Sequence, residues 1–226
     1  MAQDSLNKIT TEIASHLDRE QDEPFKRILA MKVDHWRSTL VSRSLVKHPQ
    51  QRKFFRQTLY VPMSQADMTT GCEIPVPLCQ VAKSQYPVPM PMRISNTLFD
   101  YVGSVDGLRP FREADPGSLS YLSTGYGSLI TYYEWENNQD IKVRQNKFLP
   151  FIRIDGVFDK PLDVMEWNCK YKGICNFWDM PYPITGDMLQ MVTQYILQVD
   201  YGREPNVPNT QEIEVNPLSP KNKIEL

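Results

Sequence analysis

The sequence predicts an α+β protein in which a helical N-terminal part precedes a β-rich part and a C-terminal helix. Three observations support this: helical spacing of apolar residues in the first 60 positions, short β-prone runs between about 72 and 170, and one broad apolar helix face near 186–199. The predicted divisions are an N-terminal helical hairpin or small bundle at 1–60, a β-rich domain at 61–181 with a proline-rich arm at 73–94, a helix at 182–201 and an extended C-terminal arm at 202–226.

The bulk composition limits the classes of protein that fit. The chain has 226 residues, 41% of them hydrophobic, and a formal net charge of −2. This length supports one domain or two small ones, and the charge does not indicate a general nucleic-acid binder. No run approaches the roughly 18 apolar residues of a membrane span, so we expect a soluble protein of the cytosolic type with no membrane partner.

The four cysteines fall in two pairs whose spacing matches no standard site. Cys72 and Cys79 are separated by six residues, and Cys169 and Cys175 by five. Zinc ligands and redox-active pairs use different spacings. We therefore expect buried free thiols.

The first quarter of the chain is predicted to hold three helices. Apolar residues recur at helical spacing from Leu6 to Leu17, and Asp22-Glu23-Pro24 is typical of a helix start. His48-Pro49 should end the second helix, because a residue before proline is displaced from the α region. The predicted spans are 5–18, 22 to about 47, and a short third helix at 50–58 that carries Phe54, Phe55 and Leu59.

The proline-rich arm, residues 73–94, alternates prolines with apolar residues. Proline excludes both a helix and a central strand here, which leaves extended edge segments. Val88, Met90 and Met92 would point to one side. We expect the arm to set the angle between the helical and β-rich parts and to offer these three side chains to a neighbouring subunit.

The β-rich part is predicted to contain seven or eight short strands in a small antiparallel sandwich or barrel. Asp106-Gly107 and Asp155-Gly156 are expected to form tight turns. The strand candidates are two runs within 98–111, then 119–124, 129–135, 141–144, 148–154 and 164–169.

The C-terminal part begins with an amphipathic helix over 186–199, with Thr185 as the candidate cap. The extended arm that follows has four prolines and scattered apolar residues. Ile213, Val215 and Leu218 are spaced to add a strand or arm to a neighbour.

Positive charge is concentrated between positions 26 and 56, where the sequence has nine basic residues and a single acid, Asp34. Such a segment indicates either contact with phosphates or an acidic protein, or a solvated helix face, and acids elsewhere in the protomer or across subunits could balance it. The nine are Lys26, Arg27, Lys32, Arg37, Arg43, Lys47, Arg52, Lys53 and Arg56.

No catalytic or metal-binding pattern is evident. The three histidines, His16, His35 and His48, all fall in the helical quarter and none lies beside a plausible nucleophile. The acids between Asp155 and Glu166 are better explained as turn and surface residues. Phosphate-loop, nucleophile-elbow and zinc-protease motifs do not occur in the sequence. We expect a structural or binding protein, not an enzyme, with no catalytic residues, metal or cofactor.

Taken together, the helical hairpin, the proline-rich arm, Tyr101-Val-Gly-Ser-Val-Asp-Gly, Phe151-Ile-Arg-Ile-Asp-Gly-Val-Phe and the closing helix resemble a head-to-tail connector protein. More narrowly, the chain resembles the ring proteins that attach the portal to the tail in crAss-like bacteriophages. The resemblance implies a virion structural protein that forms a ring, typically a dodecamer. This ring would contact the portal and other tail or ring proteins and surround a channel for genomic DNA.

Three functions remain open from the sequence. In a connector ring the basic helices should face acidic protein more than DNA, because cations lining a channel would hold the DNA through counterion release. In the alternative, residues 26–56 form a nucleic-acid-binding module. An enzyme would depend on the acids between Asp155 and Glu166.

Overall fold

The chain adopts an α+β fold, as the sequence predicts. The computed structural model describes residues 4–65, 81–93, 98–115, 118, 131–136, 139–144, 149–172 and 176–202. Helices at both ends of the chain pack together beside one seven-stranded sheet.

The described residues form five α-helices, two of which begin at a side-chain cap. Ser5 accepts a hydrogen bond from the Lys8 backbone amide and Asp22 accepts one from Phe25, so each caps a helix N-terminus. Thr185 occupies the predicted cap position but makes no capping bond through its side chain. The helices are α1 (Leu6–Ser15), α2 (Glu23–Lys47), α3 (Arg52–Phe55), α4 (Pro161–Lys172) and α5 (Gly186–Tyr195), which continues as a π-helical turn over Ile196–Asp200.

The seven strands pair in the order β3-β7-β1-β2-β6-β5-β4, and every pair is antiparallel except β4–β5. They are β1 (Gln57–Gln65), β2 (Val81–Ser84), β3 (Tyr101–Gly103), β4 (Arg112–Glu113), β5 (Tyr132–Trp135), β6 (Ile141–Arg144) and β7 (Phe151–Gly156).

The two edge strands of this sheet approach each other, which makes it a nearly closed barrel. The Phe111 amide donates to the Val102 carbonyl at 2.7 Å, and Gly103 forms a bridge with Pro110. The contact connects β3 with the residues just before β4. Closure of this kind removes the unpaired edges that an open sheet would present.

Apolar side chains form two clusters, one inside the barrel and one among the helices. Three alternate residues of β1 point into the barrel, namely Leu59, Val61 and Met63. The helical cluster gathers the inner faces of α1, α2 and α5. Val157 belongs to the helical cluster and Phe158 to the barrel cluster, so the two cores meet immediately after β7.

One predicted helix extends too far, and one predicted strand is a helix. The third helix ends at Phe55, and Leu59 lies in β1, because alternating burial and pairing with β7 favour a strand there. The run 164–169 belongs to α4 instead of forming a strand. Pro161 suits the first turn of a helix, and α4 packs against β1 as the Trp167 indole and the Asn168 amide donate to its carbonyls.

The turn predictions differ in outcome. Gly107 has φ of 78° within a turn, as expected for Asp106-Gly107. Asp155-Gly156 instead lies inside β7, and the buried Asp155 carboxylate accepts bonds from Thr58 and Arg153. The predicted strand 119–124 lies outside the described residues, whereas the strands near 132–135, 141–144 and 151–154 are confirmed.

The cysteine prediction is wrong for Cys169, which is half-buried on α4 and disulfide-bonded. Cys72, Cys79 and Cys175 lie outside the described residues. The expectation of free thiols was based on spacing, and spacing along the chain does not report which cysteines approach in space.

Candidate subunit interface

The basic segment does not form one surface. Its most buried member, Arg37, has 0% exposure. The Arg37 guanidinium donates through Nε to the Pro183 carbonyl at 3.1 Å and through Nη1 to the Phe158 carbonyl at 3.0 Å. Arg37 therefore joins α2 to the chain after β7 and to the segment before α5. It is not available to a partner in this conformation, which contradicts its selection as an interface residue.

A buried carboxylate lies one helical turn from Arg37. Asp34 accepts a 2.6 Å hydrogen bond from the Tyr182 hydroxyl, and both side chains are buried. Burial raises the pKa of Asp34 to about 6, while the Tyr182 hydrogen bond and the charge of Arg37 act in the opposite direction. Asp34 is thus part of the internal packing of α2 and does not balance the charge of the surface.

Three further cations of the segment are paired within the protomer. Each is partly buried and lies against an acid from its own helix or from a neighbouring element. The pairs are Lys26–Glu23 at 2.8 Å, Lys32–Asp200 at 3.1 Å and Arg52–Asp100.

The remaining five cations, Arg27, Arg43, Lys47, Lys53 and Arg56, are exposed. None of them forms a salt bridge with another described residue. The structure therefore separates a neutralised inner group from an outer group. The sequence groups all nine residues only by their position between 26 and 56.

Large apolar side chains accompany these outer cations on α2. Ile28, Met31 and Val46 are 45%, 61% and 71% exposed. At 100° per residue they lie within about 60° of one line along the helix, with charged residues on both sides. We call this surface the α2 outer face: Arg27, Ile28, Met31, Arg43, Val46 and Lys47.

The proline-rich arm is described from its residue 81 onward, as far as Arg93. Val88 is fully buried in the barrel cluster and Met92 is buried in the helical cluster, whereas Met90 is 38% exposed. The Met92 amide donates to the Val157 carbonyl at 2.8 Å. The arm therefore bridges the two cores, and the prediction that Val88 and Met92 face a neighbour is contradicted by their burial. Met90 remains a candidate.

The loop 104–109 between β3 and β4 is a second exposed apolar feature, which the sequence does not predict. Leu108 is 78% exposed and Val105 47%. The loop is internally bonded: the Ser104 amide donates to Arg109, and the Asp106 carboxylate accepts from the Leu108 amide. The Asp-Gly turn was the available signal, but exposure of the flanking residues is not encoded in it.

Two of the acids between Asp155 and Glu166 have structural partners. Asp159 accepts a hydrogen bond from Ser38 on α2, and Asp155 is held by its strand neighbours. In the described part of the chain, no three His, Cys, Asp or Glu residues are grouped as a metal site would require. Among the helices described here, none is long and apolar enough to cross a bilayer.

Ile213, Val215 and Leu218 lie outside the described residues, so their proposed role as an interface stays a prediction. The profile of the family described as phage tail ring protein 2 matches residues 8–212. The comparison with curated proteins found no match.

Proposed function

Because the chain belongs to the phage tail ring protein 2 family, a family of virion structural proteins, we propose that it is a subunit of the ring joining portal to tail. In this proposal a dodecamer surrounds the channel through which the genome passes. The family match carries the proposal, since it extends over both the helical part and the barrel.

The exposed surfaces support a ring. Each subunit of a cyclic ring needs two different contact surfaces, because the contact between neighbours is heterologous. The α2 outer face and the loop 104–109 each combine exposed apolar side chains with charge. The internal bonds of the loop reduce the entropy that it would lose on binding.

The test is the assembly state of the purified chain, alone and with the portal protein of the same phage. We expect a closed ring by electron microscopy and mass measurement, and a larger particle when portal is added. A monomer over a wide concentration range that also fails to bind portal would contradict the proposal.

A second candidate function, nucleic-acid binding through residues 26–56, is favoured by the five outer cations. The structure changes how it should be tested, because Arg37 is buried and Lys26 is paired. Arg43→Gln with Lys47→Gln removes exposed charge without touching the core. If this surface grips duplex DNA, the slope of log affinity against log salt should become shallower by about 2, since each phosphate contact contributes about 0.9. Unchanged or absent binding would exclude this function.

A further inference from the structure

We infer that the α2 outer face receives residues 212–218 of a neighbouring subunit, an inference that rests on the proposed ring. The face combines exposed apolar side chains with exposed cations that have no salt-bridge partner among the described residues, which suits an acidic and apolar occupant. Residues 203–226 lie outside the described part of the chain, and their sequence contains such a segment.

The sequence of this segment complements the face in charge and polarity. Glu212-Ile213-Glu214-Val215 alternates acids with apolar residues, and Leu218 follows. The α2 outer face also combines the two kinds of side chain. Val46 is next to the exposed cations Arg43 and Lys47, and Met31 is one turn from Arg27. Paired charge with apolar contact between is typical of a protein interface. DNA would satisfy the cations but would leave the apolar side chains exposed.

The length of the segment is close to the length of the α2 outer face. An extended segment from Glu212 to Leu218 spans about 20 Å, at roughly 3.3 Å per residue. The distance along α2 from Val46 back to Met31 is about 22 Å, at 1.5 Å per residue. One segment therefore covers most of this distance, with Ile213 near Val46 and its two glutamates near Arg43 and Lys47.

The last described residues, which precede this segment, are held by specific contacts. Asp200 accepts a 3.1 Å hydrogen bond from the Trp36 indole and pairs with Lys32, while the Tyr201 ring meets Phe25 edge-on at 5.7 Å. These contacts anchor the chain at the N-terminal half of α2. The nine residues from 203 to 211 have a maximum reach of about 30 Å when extended.

Photocrosslinking in the full chain tests this docking directly. Ile213→p-benzoylphenylalanine places a photoreactive group in the segment, and mixing chains labelled with ¹⁴N and ¹⁵N distinguishes contacts between subunits from those within one. We expect mixed-isotope products that join position 213 to peptides of α2 containing Val46.

Charge reversal tests the chemistry. Arg43→Glu with Lys47→Glu should lower the yield of these products about tenfold, as two attractive pairs become repulsive. Glu212→Lys with Glu214→Lys should do the same, and combining the four changes should restore the yield. Arg112→Glu with Lys160→Glu, two exposed cations outside the α2 outer face and the loop 104–109, is the matched control and should leave it unchanged.

Electron microscopy of the same samples separates this inference from the proposed function. If rings form but products join position 213 to another surface, only to its own chain, or to nothing, the docking is overturned while the ring function stands. A full-length chain that stays monomeric over a wide concentration range and also fails to bind portal contradicts the ring function itself. Equal loss of yield in the Arg112 and Lys160 control would overturn the specific pairing of charges.

Discussion

At the scale of residues, α2 carries two kinds of charged group with opposite environments. Arg37 and Asp34 are buried beside Tyr182, where each buried charge depends on specific hydrogen bonds. Arg43 and Lys47 are solvated on the other side of the same helix. Substitutions at the two groups should therefore affect different properties, stability at the first and association at the second.

The same substitution at two arginines should separate these roles. Arg37→Lys keeps the charge but cannot reproduce the fork that reaches both Pro183 and Phe158, so it should destabilise the fold by about 2–4 kcal/mol. Arg43→Lys, at an exposed site, should change stability by less than about 0.5 kcal/mol. Urea unfolding of both variants measures the difference. Equal stability would show that the buried fork contributes nothing.

Asp34 should make stability depend on pH. Its pKa rises from 3.8 to about 6 on folding, mainly through burial, so between these values the folded state binds more protons than the unfolded state. The contribution of the neutral acid is present below pH 4 and is lost as pH rises towards 6, by at most about 3 kcal/mol at 1.36 kcal/mol per pKa unit.

Asp34→Asn provides the comparison, because the amide oxygen still accepts from Tyr182. Urea unfolding at pH 4, 5, 6 and 7 should show the wild-type protein losing stability relative to Asp34→Asn as pH rises. A constant difference across this range would mean that the carboxyl titrates at its ordinary pKa in the folded protein.

At the scale of elements, the loop 104–109 depends on a close approach of backbone at Gly103. A Cβ at this position would overlap the Arg109 carbonyl oxygen and the Tyr101 hydroxyl. These are the groups that close β3 against the residues before β4. The shape of the loop therefore requires glycine here for lack of space, although the Gly103 backbone does not have positive φ.

Gly103→Ala should consequently destabilise the protein by about 1–3 kcal/mol, the usual cost of overpacking. Gly186→Ala is the matched control, because nothing lies within 4 Å of a Cβ there and alanine favours the first turn of α5. Thermal unfolding should show a lower midpoint for the first variant and an equal or higher one for the second. A neutral Gly103→Ala would indicate that the loop yields easily.

At the scale of the whole molecule, the helical and barrel cores are linked by contacts that cross between them. The proline-rich arm places Val88 in one core and Met92 in the other, and Arg37 reaches from α2 to the Phe158 carbonyl. We propose that the predicted helical and β-rich parts behave as one cooperative unit, because opening either core would expose these shared buried groups.

Native-state hydrogen exchange tests this cooperativity. The slowest amides of α2 and of β7 should exchange through the same global opening, with equal free energies and the same denaturant dependence. As a control, amides of the exposed loop 104–109 should exchange through smaller local openings. A lower limiting free energy for α2 than for β7 would show two units that open separately.

The elements that could be predicted from the sequence are those determined by interactions between residues close together along the chain. The helices α1, α2 and α5 were predictable because caps and 3.6-residue periodicity are local signals. The strand β1 and the helix α4 were not, since short apolar runs are ambiguous and long-range pairing decides them. The candidate site was predictable in its charge but not in its geometry.

By itself the sequence determined the α+β class, the main helices, the excess of cations over 26–56 and a pattern that resembles phage ring proteins. Only the tertiary structure decided that four of the nine cations are held inside the protomer and that Val88 and Met92 belong to its own cores. The reason is physical: composition and periodicity are local along the chain. Exposure depends on which distant elements pack together, here α2 against α5 and the segments around 158 and 183.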